Sequence, residues 1–183
     1  DIPKIKGIKP GEKIVKTENF NEEIPKVILN LQGSYLYLQG PPGSGKTFQA
    51  SNAIIELLKN NKKIAVTANS HKVIHNLLER VEKLADKEKF VFKGLKMGNP
   101  DNEDSFYDGK LIKTDKNEKH YIDGLKENKI LLYAGTKYHL SNWYYQNKLD
   151  YLFCDEASQI SVADLVALGA VSYTHLTLPT NVQ

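Results

Sequence analysis

Short apolar runs alternate with stretches of helical period along most of the chain. The runs that predict strands lie at residues 35–39, 62–69, 89–95, 129–135 and 149–156. Helical spacing of apolar positions predicts helices at residues 21–31, 46–61, 70–87 and 161–170. Most of the strand runs are apolar at nearly every position, which is typical of parallel strands buried on both faces. The alternation therefore predicts an α/β domain with a parallel sheet flanked by helices.

The same pattern divides the chain into parts. Residues 1–30 are predicted to be a linker from an upstream region, and residues 31–170 the α/β domain. Within that domain, residues 96–129 are rich in Asp, Lys, Asn and Gly and show no clear period, so we expect an insertion there. The predicted helix starts carry side-chain oxygens suited to capping, namely Asn21, Ser70 and Ser161.

The last part of the chain, residues 171–183, is expected to be a non-native tail. With one choice of codons, the decapeptide VSYTHLTLPT at residues 171–180 resembles the translated end of an adapter used in sequencing libraries. On this interpretation the natural sequence stops near Ala170. The alternative is a native strand, because Tyr173, Leu176 and Leu178 suit a strand.

Composition narrows the class of protein without identifying it. At 183 residues, 40% hydrophobic and 26% charged, the chain fits one soluble globular domain. A net charge of +3 is too small to indicate nucleic-acid binding by itself. No apolar run approaches the roughly 18 residues of a membrane span, and no secretory signal is visible. The single cysteine, Cys154, excludes an internal disulfide and suits a reducing compartment, so we expect a cytoplasmic protein.

A glycine-rich turn joins the first predicted strand to the helix at residues 46–61. The turn reads GPPGSGKT and matches the phosphate-loop pattern G-x-x-x-x-G-K-[ST], in the required context of a strand before it and a helix after it. Glycines let the backbone curl so that successive N–H groups point at phosphate oxygens. The predicted nucleotide-binding residues are Gly40, Pro41, Pro42, Gly43, Ser44, Gly45, Lys46 and Thr47.

Four residues predict how ATP and Mg²⁺ are used. Lys46 is expected to reach the β- and γ-phosphates, and the Thr47 hydroxyl to ligate Mg²⁺. Asp155, at the end of the apolar strand, is the expected second Mg²⁺ ligand. Glu156 then stands where a general base takes a proton from the attacking water. Together these residues predict a Mg²⁺-dependent ATPase.

The segments LQGPPGSGKT, VTANSHKVIHNLL, AGTKYHL and YLFCDEASQIS resemble the motifs of superfamily 1 helicases in their order and residues. More narrowly, they are similar to the helicase part of bacterial proteins that join this motor to a RecB-like nuclease. The resemblance covers roughly residues 31–170 and implies a RecA-like domain that couples ATP hydrolysis to nucleic acid. It also implies that Gln159 senses the γ-phosphate or the attacking water and relays that state; the alternative is that Gln159 caps the following helix.

A second group of residues is expected to bind single-stranded nucleic acid, with DNA favoured over RNA. The segment that follows the strand at residues 62–69 gathers small polar groups at a helix N-terminus, where backbone amides and the helix dipole favour a phosphate. The segment AGT is added by the resemblance alone. For the aromatic run at residues 143–145 we favour core packing over base stacking. The predicted nucleic-acid-binding residues are Thr67, Asn69, Ser70, His71, Gly135 and Thr136.

The chain also departs from this family. The Gly-Asp-x-x-Gln strand expected after the acid pair is missing, as are the second RecA-like domain, its γ-phosphate arginine and any nuclease domain. The domain is therefore predicted to be incomplete, to bind nucleotide weakly and to hydrolyse it very slowly. The missing strand belongs between the phosphate-loop strand and the acidic strand, so we expect a gap that leaves backbone groups unpaired and promotes aggregation, unless the strand-like tail enters it. A P-loop ATPase that does not unwind and a nucleotide-dependent binding module remain as alternatives.

Overall fold

The computed structural model describes residues 3–17, 19–41 and 43–178. The helices are α1 (Phe20–Leu29), α2 (Lys46–Lys59), α3 (His71–Lys87), α4 (Glu118–Glu127), α5 (Lys137–Leu140) and α6 (Val162–Gly169). The strands are β1 (Tyr35–Tyr37), β2 (Ile64–Thr67), β3 (Gly94–Met97), β4 (Ile112–Asp115), β5 (Leu132–Ala134), β6 (Leu149–Asp155) and β7 (Ser172–Leu178). Short 3₁₀ helices lie at Trp143–Tyr145 and Ala157–Gln159.

All seven strands belong to one parallel sheet, in the order β1-β7-β6-β2-β5-β3-β4. The predicted parallel α/β fold is confirmed. In such a sheet the carboxyl ends of the strands meet at one edge, where ligands usually bind. The segments after β1, β2, β5 and β6 therefore lie along the same edge. They carry the phosphate loop, both predicted nucleic-acid segments and the acid pair.

The sheet carries an apolar layer on each face. β2 is buried at all four positions, and its successive side chains point to opposite faces. Val66 packs in the cluster formed with α1, α2 and α3, whereas Ala65 packs in the cluster formed with α4, α5 and α6. Helices on both faces thus account for the near-continuous apolar runs in the sequence.

Serine caps fix the start of two helices, as predicted. The Ser70 hydroxyl accepts a hydrogen bond from the Val73 backbone N–H at 3.3 Å, and α3 begins at the next residue. The Ser161 hydroxyl accepts from the Asp164 backbone N–H at 3.2 Å at the start of α6. The prediction for Asn21 is wrong: α1 begins at Phe20, and Asn19 precedes it without a side-chain capping bond.

Residues 96–129 contain regular structure that the sequence pattern did not predict. They include the end of β3 and all of β4 and α4, so this segment forms the far edge of the sheet. The carboxylate of Glu82 on α3 holds the turn before β4. It accepts hydrogen bonds from the backbone N–H groups of Lys110 (3.2 Å), Leu111 (2.7 Å) and Ile112 (2.8 Å) and from the Tyr107 hydroxyl (3.2 Å).

The segment before α1 packs on the domain. Ile5 is buried in the same cluster as α1 and forms an isolated antiparallel bridge with Leu31. The Lys6 backbone N–H donates to the Asn30 carbonyl at 2.9 Å. Residues 3–8 are therefore attached to the end of α1, which a sequence without periodicity did not predict.

β7 occupies the place in the sheet where a gap was expected. It pairs in parallel with β1 on one side and with β6 on the other. Leu176 is 1% exposed and lies in the core cluster beneath α1 and α2. The sheet is therefore continuous, and the tail enters the position of the missing strand. That residues 171–183 are non-native stays a prediction.

Among the described residues, no helix combines the length and apolar character needed to cross a membrane.

Candidate nucleotide and nucleic-acid site

The phosphate loop has the backbone geometry that its glycines predict. Gly43 and Gly45 lie at φ 77° and 83°, in the left-handed region that residues with a Cβ rarely adopt. α2 begins directly after Gly45. The Lys46 ammonium group donates to the Gly40 and Pro41 carbonyls at 2.6 and 2.9 Å, so the lysine spans the loop from inside. Pro42, a predicted loop residue, lies outside the described residues.

A cleft of about 470 Å³ opens beside this loop. Its volume falls within the range of roughly 300–1,000 Å³ typical of small-ligand sites. The loop forms one side, the acid pair after β6 the floor, and α3 the other side. The residues that line it are Gly43, Gly45, Lys46, Thr47, Phe48, Val73, Asn76, Arg80, Asp155 and Glu156.

Asp155 and Glu156 differ in their surroundings although they are adjacent. Asp155 is 7% exposed, and its carboxylate accepts a hydrogen bond from the Glu156 backbone N–H at 2.9 Å. Burial raises the pKa of Asp155; the hydrogen bond from the Glu156 N–H opposes that effect, and the Glu156 charge adds to it. Glu156 is partly exposed and has φ 51°, which turns the chain out of β6 at the cleft.

These residues fit Mg²⁺ bound together with a nucleotide. The described residues contain no group of three or more His, Cys, Asp or Glu side chains arranged to hold a metal alone. Mg²⁺ in nucleotide enzymes instead takes one or two protein ligands and completes its shell with phosphates and water. Thr47 and Asp155 face the same cleft and supply a hydroxyl and a carboxylate.

Gln159 contacts the predicted nucleic-acid segment. Its side-chain carbonyl accepts a hydrogen bond from the Asn69 amide at 3.4 Å, across 90 residues of sequence. The alternative role as a helix cap is wrong, because Ser161 caps α6 and Gln159 lies in the preceding 3₁₀ helix. The contact joins the turn after the acid pair to the turn after β2.

The structure separates the predicted residues at the end of β2 and after it into two groups. Asn69 and Ser70 are exposed at the sheet edge. Thr67 is 0% exposed, so its side chain cannot contact a nucleic acid from this position. His71 is half-buried, and burial followed by the nearby Lys96 charge lowers its pKa, which favours a neutral imidazole over a cation.

A buried polar cluster that the sequence did not reveal lies behind His71. Lys96 on β3 is 0% exposed, and its ammonium group donates to the Ser105 carbonyl. Burial lowers the pKa of Lys96 to about 8 and that of His75 to about 4. A single lysine in a strand of four residues carries no local signal that predicts its burial.

The segment after β5 reaches the same edge. Gly135 donates its backbone N–H to the Val66 carbonyl at 3.1 Å, and a Cβ at this position would lie 2.7 Å from His139. Thr136 precedes α5 and is partly exposed. Gly135 is therefore needed for close packing, while Thr136 has its side chain near the surface.

The aromatic run after α5 divides between core and surface. Tyr144 and Tyr145 are buried around His139, whose Nε2 lies 2.5 Å from the Tyr145 hydroxyl. The core interpretation is confirmed for these two residues. It is wrong for Trp143, which is 76% exposed. Cys154 is buried, and burial raises the pKa of its thiol to about 12, as expected for a packing role.

The parallel sheet, the glycine loop and the acids at the end of β6 define a P-loop nucleotide-binding domain of the α/β class. Residues 19–131 match the AAA domain family, and this range is more than half of the chain. The chain therefore belongs to the AAA domain family. No curated protein sequence matches it.

Two helicases of known structure are among the solved structures that share the fold. The UvsW helicase from bacteriophage T4 superposes with a TM-score of 0.59 at 10% identity, over 90% of this chain and 52% of that one. The DUF1998 helicase MrfA bound to DNA gives 0.57 at 18% identity, over 80% of this chain and 20% of that one. At these identities the similarity establishes the fold alone, that of an incomplete RecA-like P-loop domain. The chain spans about half of the first structure and a fifth of the second.

Sequence reasoning missed one wall of the cleft. Val73, Asn76 and Arg80 are three and four residues apart on α3, so they share one face of the helix. That spacing was readable in the sequence. What could not be read is that this face meets the phosphate loop, because the packing of α2 against α3 is a tertiary contact.

Proposed function

We propose that this chain is the first motor domain of an ATP-dependent nucleic-acid helicase or translocase, of the superfamily 1 type. It binds ATP with Mg²⁺ at the phosphate loop and a single strand along the carboxyl edge of the sheet. In the longer protein, hydrolysis drives movement on the strand. DNA is the favoured strand, and the helicase MrfA, whose structure shares the fold, is bound to DNA.

The single observation that carries this proposal is the cleft that brings Lys46, Thr47, Asp155 and Glu156 together. A lysine, a hydroxyl and two carboxylates at the end of a parallel strand are the parts that phosphoryl transfer requires. Lys46 and the loop N–H groups hold the phosphates, while Thr47 and Asp155 ligate Mg²⁺. Glu156, partly exposed in the cleft, accepts the proton of the attacking water.

The contact between Asn69 and Gln159 supports coupling to a strand. The 3₁₀ helix that carries Gln159 directly follows the acid pair that lines the cleft. A change in the Gln159 side chain alters its hydrogen bond to Asn69, which is exposed at the edge proposed to hold the strand. Asn69 is thereby the partner through which nucleotide state reaches the nucleic-acid segment.

Nucleotide binding is tested on this chain with a fluorescent ATP analogue and Mg²⁺. Lys46→Ala removes a charge-assisted contact to phosphate, so affinity is expected to fall roughly 10- to 100-fold. Glu156→Gln is expected to retain binding, because it removes only the proton acceptor. Lys62→Ala, a lysine outside the cleft, is the matched control. Unchanged affinity in the Lys46 variant, with the fold intact, would contradict the proposal.

Coupling is tested by a double-mutant cycle on Asn69→Ala and Gln159→Ala. The measured quantity is the change in single-stranded DNA affinity caused by the ATP analogue. Each single variant is expected to reduce that change, and the double variant to reduce it no further, a non-additivity of at least about 0.5 kcal/mol. Ser158→Ala, at the exposed residue beside Gln159, serves as the control. If the effects of the two substitutions are additive, the hydrogen bond between Asn69 and Gln159 does not contribute to the coupling.

Buried Thr67 and inward-facing His71 favour a second candidate, a P-loop ATPase that binds no strand. Two of the predicted nucleic-acid residues are then only structural. This alternative predicts nucleotide binding that is unaffected by single-stranded DNA or RNA, and no strand affinity in either nucleotide state. Competition binding with labelled oligonucleotides separates the two functions.

Hydrolysis by this chain alone is expected to be very slow. An arginine that stabilises charge on the γ-phosphate is worth about 10³ to 10⁵ in rate, and in helicases of this type it belongs to the second RecA-like domain. We infer that the complete motor includes that domain; the sequence leaves open whether a nuclease domain is attached to it.

A further inference from the structure

Arg80 is the only arginine of the chain, and it lines the nucleotide cleft. It lies on the same face of α3 as Val73 and Asn76. α3 begins at the carboxyl edge of the sheet, and long side chains on a helix lean toward its N-terminus. The guanidinium group is therefore directed toward the end of the cleft that holds the loop and the acid pair.

The acids nearest to Arg80 along α3 have other partners. Glu79 pairs with Lys83 at 3.9 Å, and the Glu82 carboxylate is occupied by the turn before β4. Within the described part of the chain, no ion pair or hydrogen bond is formed by Arg80. Asp155 and Glu156 face the same cleft, yet neither carboxylate lies within ion-pair distance of the Arg80 guanidinium group. The permanently charged guanidinium group of Arg80 thus faces the cleft with no carboxylate partner.

We propose that Arg80 binds the terminal phosphates of the nucleoside triphosphate, from within this domain and from the side opposite the phosphate loop. This inference rests on the proposed nucleotide-binding function. A guanidinium group keeps its charge at all physiological pH values, and its planar fork matches two phosphate oxygens. Lys46 reaches the phosphates from the loop, so the two cations enclose them. Asn76, one turn earlier, adds an amide donor on the same wall.

A contact between Arg80 and the terminal phosphates predicts that Arg80 affects the binding of ATP, ADP and AMP to different extents. A residue that contacts the γ-phosphate raises the affinity for ATP more than the affinity for ADP, and does not change the affinity for AMP. A residue that contacts the ribose or base changes all three alike. The ratio of ATP to ADP affinity therefore locates the Arg80 contact on the nucleotide.

The experiment measures ATP, ADP and AMP binding by calorimetry with Mg²⁺, on the full chain and four variants, of which Lys46→Ala is one. Arg80→Gln is expected to weaken ATP binding about tenfold and ADP binding less, as for the loss of one charge-assisted contact. Arg80→Lys, which keeps charge but loses the fork, is expected to lie between. Lys83→Gln is the matched control: the same charge is removed from the same helix, outside the cleft, and affinities should stay within about twofold. Thermal unfolding verifies that each variant is folded.

Lys46→Ala separates failure of this inference from failure of the proposed function. If Lys46→Ala weakens ATP while Arg80→Gln behaves like Lys83→Gln, the Arg80 contact is overturned and nucleotide binding stands. An equal loss of ATP, ADP and AMP in Arg80→Gln also overturns it. If Lys46→Ala has no effect, nucleotide binding at the loop fails and the role of Arg80 fails with it.

Discussion

The N-termini of α2 and α3 lie at the same edge of the sheet, but their backbone N–H groups are capped differently. α2 follows Gly45 in a left-handed conformation, and no side chain caps it. α3 follows Ser70 in an extended conformation, and the Ser70 hydroxyl accepts from the Val73 N–H. An uncapped start leaves its N–H groups to an anion, whereas a capped start satisfies one of them internally. The start of α2 therefore leaves its N–H groups available to a phosphate, whereas the start of α3 satisfies one of its own.

The largest expected effect comes from deleting β7, which joins the strand before α2 to the rest of the sheet. β7 lies between β1, which leads to α2, and β6, which lies beside the strand that leads to α3. A chain that ends at Ala170 leaves the facing backbone groups of β1 and β6 unpaired, so we expect loss of cooperative unfolding and aggregation. A chain that ends at Leu178 is the control. A sharp denaturant transition for the shorter chain would show that the sheet does not need β7.

The second prediction breaks the open start of α2. Gly45→Ala places a Cβ at φ 83°, and strain of about 1–2 kcal/mol is expected in the free energy of unfolding. ATP affinity should also fall, since relief of that strain moves the loop N–H groups. Gly11→Ala is the control, with the same kind of strain at φ 87° on an exposed turn away from the cleft. Equal nucleotide affinity in both variants would contradict the special role of Gly45.

The third prediction uses pH, because α3 carries two histidines in its first two turns and α2 carries none. Burial lowers the pKa of His75 and that of His139 in the core to about 4, from an ordinary value of 6.5. Between those values the unfolded chain binds more protons than the folded chain, so the free energy of unfolding falls as the pH drops from about 6.5 to about 4. Each histidine contributes up to about 1.4 kcal/mol per pH unit.

Denaturant titrations between pH 7 and pH 4 measure that slope. His75→Gln should flatten it, because the half-buried imidazole that resists protonation is removed. A slope that His75→Gln does not alter would mean that another group carries the acid sensitivity.

The smallest expected effect removes the cap of α3. Ser70→Ala should lower the free energy of unfolding by about 1 kcal/mol and leave ATP affinity unchanged. Ser161→Ala removes the equivalent cap of α6 and should have a similar effect on stability. If the carboxyl edge binds a strand, only Ser70→Ala should weaken single-stranded DNA binding. Oligonucleotide affinity and urea unfolding provide both measurements.

The sequence predicted the features that are local. The phosphate loop is specified within eight residues, and its glycines have the positive φ values that the pattern requires. The order of strands and helices and the caps at Ser70 and Ser161 are likewise set by short segments. These are cases in which the residues that determine a conformation are also those that adopt it.

The features that the sequence did not predict depend on contacts between distant segments. β4 is polar at most positions and is held by Glu82 about 30 residues earlier, so no local signal marks it as a strand. The sequence pattern between the end of β2 and the start of α3 placed Thr67 and His71 near a strand of nucleic acid, but it could not determine which side chains face inward. Asn69 meets Gln159 only because β2 and β6 are neighbours in the sheet.

The hydrogen bonds that Glu82 accepts have a consequence for proteolysis. The segment around the turn before β4 is rich in lysine, and lysines in a loose loop are cut readily by trypsin. A protease must draw a stretch of backbone into an extended form, and here three consecutive N–H groups and a tyrosine are fastened to one carboxylate on α3. Cleavage after Lys110 therefore requires the release of Glu82, so the digestion rate at that bond reports directly on how firmly the edge of the sheet is attached.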